Sequence, residues 1–101
     1  MGTVDYIAPE LLRGDPATPA SDLYALGCVA YEMVAGRPPF EGGMFEVGMA
    51  HLEKQPADPV ANRPDAPAGL GKAVLLALDK EPRRRPPTAT AFANLVGAAA
   101  R

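Results

Sequence analysis

Residues 21–35 read Ser-Asp-Leu-Tyr-Ala-Leu-Gly-Cys-Val-Ala-Tyr-Glu-Met-Val-Ala, and after Asp22 the only charge in the stretch is Glu32. This is about four turns of helix with apolar side chains on nearly every face, a pattern that belongs to a helix buried on all sides. Thr18-Pro19 or Ser21 can cap its start, and Asp22 in the first turn suits the positive end of the helix dipole. Gly36, followed by Pro38 and Pro39, ends it.

Outward from this helix, the chain supplies little to surround it. Toward the N-terminus lies a short helical stretch, Pro9 to Arg13, stopped by Gly14. Toward the C-terminus, Met44 to Glu53 carries Phe45, Val47, Met49 and Leu52 without a clean stripe and reads as a weak surface helix. Gln55 to Pro67 holds Pro56, Pro59, Pro64 and Pro67 and is a loop. Leu70 to Lys80 places Leu70, Val74, Leu75 and Leu78 on one helical face, and Pro82 stops it. A last helix, over residues 88–99, starts at a Thr88 cap and runs through Phe92, Leu95 and Val96 to an Ala-rich end. No alternating strand pattern exceeds a few residues, so the chain reads as all-α with about five helices.

The composition sharpens the deficit. Of 101 residues 48% are apolar, but 19 are Ala, only six are aromatic, and none is Trp, so the core is thin. Twelve Pro and ten Gly impose many breaks on one small domain. A helix buried all round needs a ring of neighbours that these short elements do not provide, which implies neighbours in a larger chain. The net charge of −2 argues against nucleic acid as a partner, since such domains carry a marked basic excess. The single cysteine, Cys28, excludes an internal disulfide and points to a reducing compartment. No apolar run approaches the ~18 residues of a membrane span. Met1 to Asp5 has neither the basic nor the apolar region of a signal peptide.

Four motifs stand in order along the chain: Gly2-Thr3-x-x-Tyr6-x-Ala8-Pro9-Glu10, Ser21-Asp22-Leu23-Tyr24-Ala25-Leu26-Gly27, Gly36-Arg37-Pro38-Pro39-Phe40, and Lys80-Glu81-Pro82-Arg83-Arg84-Arg85-Pro86. Together they resemble the C-terminal lobe of a eukaryotic-like serine/threonine protein kinase, closest to the bacterial receptor-type kinases. The resemblance implies a helical C-terminal subdomain of the kinase fold, lacking the N-lobe and the catalytic loop. Residues 1–10 then end the activation segment, residues 21–35 are the central buried helix, and 44–53 is a helix that docks substrates or a second kinase molecule. Residues 70–80 and 88–99 are the last two helices of the lobe.

Particular residues take roles from the same resemblance. Thr3, Val4 and Tyr6 fall in the loop that holds the protein substrate beside its phosphorylated Ser or Thr. Thr3 is the residue that hydrogen-bonds the catalytic Asp and Lys of the absent catalytic loop; read without its neighbours it is only a cap or turn residue near a terminus. Glu10 and Arg85 form a buried salt bridge clamping the activation segment, Arg85 being chosen over Arg83 and Arg84 by its spacing to Pro86. Asp22 accepts hydrogen bonds from backbone N–H groups of the catalytic loop, the plainer alternative being a first-turn Asp serving the helix dipole. Gly27 permits close approach of a second backbone. His51, the only histidine, has no ligand-spaced partner and reads as a surface or half-buried structural residue, so no metal site is expected. Cys28 reads as a small packing residue.

Phosphoryl transfer by a protein kinase requires a Gly-rich loop, a strand Lys paired with a helix Glu, a catalytic-loop Asp and Asn, and the Asp of Asp-Phe-Gly. No Gly-x-Gly-x-x-Gly, His-Arg-Asp or Asp-Phe-Gly occurs in these 101 residues. ATP and Mg are therefore expected as cofactors of a parent kinase, with none bound by this chain alone and no catalytic residue within it. The alternative is a stand-alone helical protein-interaction module, or pseudokinase remnant, derived from a kinase lobe. A cytoplasmic location is expected either way, including for a parent anchored in the membrane with its kinase domain on the cytoplasmic side.

Overall fold

The computed structural model describes residues 3–100, with side chains from Asp5 onward. A 3₁₀ turn, Thr3–Tyr6, leads into α1 (Pro9–Leu12), followed by α2 (Pro19–Ala35), α3 (Met44–Glu53), α4 (Ala68–Ala77), a second 3₁₀ turn at Pro82–Arg84, and α5 (Ala89–Ala99). The described residues form an all-α architecture.

Helix α2 begins two residues before Ser21 because Thr18 caps it. The Thr18 Oγ1 accepts from the Ser21 N–H at 3.3 Å, and the Ser21 Oγ accepts from the Thr18 N–H at 2.7 Å, a reciprocal capping box. Pro19 fits the first turn, where its missing N–H costs nothing. Gly36 ends the helix at φ +80°, in the left-handed region that side chains with a Cβ avoid.

The core is built on one flank of α2. Tyr24, Cys28 and Tyr31 pack with Ala8, Val74 and Leu78, while Leu23 joins Ala77 and Phe92. Two helices approach closely at Gly27, where an added Cβ would stand 2.8 Å from the Ala77 Cβ and 3.1 Å from Leu78 Cδ2. The small residues Gly71, Ala73 and Ala77 line the buried face of α4 together with Val74. Leu70 and Leu75, expected on that face, are only half-buried.

Two expectations are corrected. Helix α2 is not covered on all sides: Leu26, Val29 and Met33 are exposed, Met33 by 80%, because no element of this chain packs on that flank. Helix α4 ends at Ala77 rather than Lys80, since the chain turns there and points the Asp79 and Lys80 carbonyls at the Arg85 guanidinium. Leu95 is exposed, leaving Phe92 as the buried anchor of α5.

Candidate functional site

The first 3₁₀ turn and α1 are held against the helices below them by one ion pair. Arg85 donates from Nη1 to Glu10 Oε2 at 2.7 Å and from Nη2 to Glu10 Oε1 at 2.8 Å, a bidentate fork joining residues 75 positions apart. Its remaining N–H groups reach backbone carbonyls: Nη1 to Ala20 at 2.9 Å, Nε to Asp79 at 2.8 Å and, more weakly, Nη2 to Lys80 at 3.5 Å. All five guanidinium donors are thus used, which a buried Arg requires and a Lys could not reproduce. The guanidinium also lies 4.9 Å from the centroid of the Tyr24 ring. Burial pushes the Glu10 carboxyl up, but the hydrogen bonds and charge of Arg85 outweigh it and hold it below the usual carboxylate range. Arg83 and Arg84, the other members of the run, are exposed.

A second tie joins the first turn to α2. The Tyr6 hydroxyl donates to Glu32 Oε1, and this hydrogen bond is the main reason the phenol's pKa is raised. Glu32 was legible only as the one late charge in an apolar helix; its service as the acceptor for Tyr6, 26 residues away, was not. The side chains of Thr3 and Val4 lie outside the described residues.

Asp22 is exposed. It lines a surface cleft with Pro19, Leu23, Leu26, Pro87 and Thr88. Along α2 the spacing of Asp22, Leu26, Val29 and Met33 puts all four on one face, a polar acceptor at one end of an uncovered apolar stripe.

His51 is also corrected: it is fully buried, with Nδ1 hydrogen-bonded to the Tyr24 hydroxyl at 2.7 Å. Its ring meets Tyr24 and Phe40 edge-on, at centroid distances of 5.5 and 5.1 Å. Burial drives the Tyr24 phenol far above its ordinary pKa and the Cys28 thiol up to about 12, so both stay protonated at neutral pH and Cys28 is unreactive. Helix α3 turns Val47, Ala50 and His51 inward and leaves Met44 and Phe45 exposed by 73% and 79%. With Leu12, Met49 and Leu52 these two line an apolar groove.

No group of three His, Cys, Asp or Glu able to hold a metal ion occurs among the described residues. Among the described residues the glycines at positive φ are Gly14, Gly36 and Gly42, at helix ends and loops. No helix among the described residues is long and apolar enough to cross a membrane.

Comparison with known proteins agrees with this geometry. The sequence matches the Protein kinase domain family over residues 1–94. It is 43% identical over 99 residues to the serine/threonine-protein kinase PknA of Mycobacterium tuberculosis, covering 97% of this chain and 22% of that protein. It is 41% identical over 102 residues to the probable serine/threonine-protein kinase PknB of Corynebacterium glutamicum, covering 96% of this chain and 16% of that protein. Among solved structures, the kinase domain of Mycobacterium tuberculosis PknI superimposes with a TM-score of 0.74 at 32% identity, over 95% of this chain and 34% of that one. The chain therefore spans about a fifth or less of these curated relatives and a third of a solved kinase domain.

Proposed function

The chain belongs to the protein kinase domain family, and from that premise we propose that it is the substrate-side, C-terminal part of a serine/threonine protein kinase domain. The observation that carries the reading is the fully satisfied Glu10–Arg85 fork, which fixes the Ala8-Pro9-Glu10 turn to the body of the helices. With Tyr6 tied to Glu32, the segment before that turn becomes a rigid shelf. Residues 1–10 are then the end of the activation segment, with Thr3, Val4 and Tyr6 meeting the Ser or Thr of a protein substrate. The uncovered face of α2, with Asp22 at its head, receives the part of the kinase domain that carries the catalytic loop, the nucleotide site and Mg. Residues 21–35 serve as the central helix, and 70–80 and 88–99 close the lobe. The kinase works on the cytoplasmic side of the membrane, and nucleic acid is not a partner.

On this reading the 101 residues alone transfer no phosphate from radiolabelled ATP to a Ser/Thr peptide. Joined to the preceding part of the kinase domain of a relative such as PknA, they complete an enzyme that does, and Thr3→Ala abolishes that activity. Turnover by the 101-residue chain alone, or none by the joined domain, overturns the reading. The exposed Met44 and Phe45 favour a second role for α3, docking a protein substrate or a second kinase molecule. Polar replacement of both would weaken protein-substrate phosphorylation while leaving turnover of a short peptide unchanged.

A further inference from the structure

Helix α3 turns Val47, Ala50 and His51 into the core, and its other side, with Leu12 of α1, lines an apolar groove that no described residue fills. Gly48 forms the floor of that groove, with Met44 and Leu52 one turn to either side. Glycine in a helix interior is destabilising relative to alanine, so an internal reason for it is expected. The described residues supply none: Gly48 does not have a positive φ, and an added Cβ would meet no atom within 4 Å. At Gly27, by contrast, the Ala77 Cβ would stand 2.8 Å away. The missing side chain at Gly48 opens a notch through which a second backbone can approach α3. One edge of the groove is acidic. At about 100° per residue, Glu46 and Glu53 fall within about 20° of each other around α3, beside Met49 and about 10 Å apart along the helix. Both are exposed. The ion pairs among the described residues are Arg63–Asp65, Arg83–Glu81 and Arg85–Glu10, so neither carboxylate has a cation of its own there. Arg13 and Lys54, the basic residues nearest in sequence, cap the C-terminal ends of α1 and α3.

We propose that the groove between α1 and α3 receives an amphipathic helix of a protein partner whose apolar face is flanked by lysine or arginine. This deepens, and rests on, the reading of α3 as a docking helix. Apolar anchors of the partner, spaced i, i+3, i+4 and i+7, pack against Met44, Phe45 and Met49, with the closest approach at Gly48. Two basic side chains, two turns apart on its flank, meet Glu46 and Glu53. A second copy of this chain is the poorer occupant. Its own α3, laid antiparallel across Gly48 and Met49, brings Glu46 of one copy against Glu53 of the other, and like charges so placed work against association.

The probe is a synthetic helical peptide of about 15 residues with leucines at that spacing and lysines along both flanks; its counterpart carries glutamates in the same places. Binding to the 101-residue chain is measured by fluorescence anisotropy at low salt. The lysine peptide should bind at least about tenfold more tightly than the glutamate one, with the preference shrinking as salt rises. Glu53→Lys should remove most of that preference; Glu46 is left in place because its Oε1 also accepts from the Gly43 N–H at 3.1 Å. Gly48→Leu should weaken binding of the lysine peptide at least about tenfold while the urea midpoint holds or rises, since the new side chain enters the groove and not the core. Met33→Glu, on the exposed flank of α2, should leave binding unchanged. Equal binding of the two peptides, undiminished binding by Gly48→Leu, or loss of binding in Met33→Glu overturns the proposal. So does a dimer in sedimentation equilibrium that Gly48→Leu dissolves. None of these readouts involves phosphoryl transfer, so a failure here leaves the kinase reading standing, and a failure of that reading leaves the binding result intact.

Discussion

Replacing Arg85 by Met tests whether the fork to Glu10 holds the shelf before α1. The substitution keeps the bulk of the side chain but leaves the buried Glu10 carboxylate without its partner, a loss of about 3–5 kcal/mol for one-sided breaking of such a pair. The Ala20 and Asp79 carbonyls also lose donors at 2.9 and 2.8 Å, worth about 1 kcal/mol each where water cannot replace them. The chain has about 5–15 kcal/mol to lose on the usual per-residue scale, so Arg85→Met should leave it near the edge of unfolding. Adding Glu10→Gln removes the stranded charge, and the double variant should be more stable than Arg85→Met alone by at least about 1 kcal/mol, although Glu10→Gln by itself is destabilising. Arg85→Lys keeps the charge but not the fork, and should fall between wild type and Arg85→Met. Urea titrations followed by far-UV circular dichroism, with hydrogen exchange at α1, give the four values. A loss under about 1 kcal/mol for Arg85→Met, or strict additivity of the two single changes, refutes the reasoning.

Two further outcomes follow from the same geometry. The Glu10 carboxyl is held below its ordinary value of 4.5, so the stability it contributes is fully present above that value and is lost as pH falls through the lower folded value; acid titration of Glu10→Gln should show a shallower decline over that window. Gly27→Ala gains about 1 kcal/mol of helix propensity but drives a methyl to 2.8 Å from the Ala77 Cβ, where relief costs about 1–3 kcal/mol, so a lower urea midpoint is expected, and a raised one would show that α2 and α4 are free to separate.

The parts of the fold that sequence makes legible are those decided within a few residues. Thr18, Pro19 and Gly36 bound α2 through a cap, a permitted proline and a left-handed stop, each readable because its partner lies within four positions. Glu10 and Arg85 lie 75 residues apart, and only the order of four motifs relates them; no periodicity does. His51, Phe40 and Lys80 were illegible as a cluster because they come from three segments that only the fold brings together around Tyr24, and a lone histidine carries no spacing signal. The C-terminal end of α4 was misplaced for the same reason, the Asp79 carbonyl just beyond it being recruited by a side chain past the next proline.

The exposed flank of α2 is a different kind of departure. The apolar pattern over residues 21–35 specifies the surroundings the helix is built for, whereas the structure shows the surroundings this chain supplies. Tyr24, Cys28 and Tyr31 are fully buried here, while Leu26, Val29 and Met33, chemically their equals on the opposite flank, stand exposed. Propensity cannot account for the difference, since both sets lie on one helix with the same caps. A surface apolar stripe headed by a carboxylate gives this chain no stability of its own, and polar residues there would serve its solubility better. What would satisfy the stripe is a segment bringing apolar side chains to Leu26, Val29 and Met33 and backbone N–H groups to Asp22. The two-thirds of the solved kinase domain that this chain does not cover are where such a segment is to be sought.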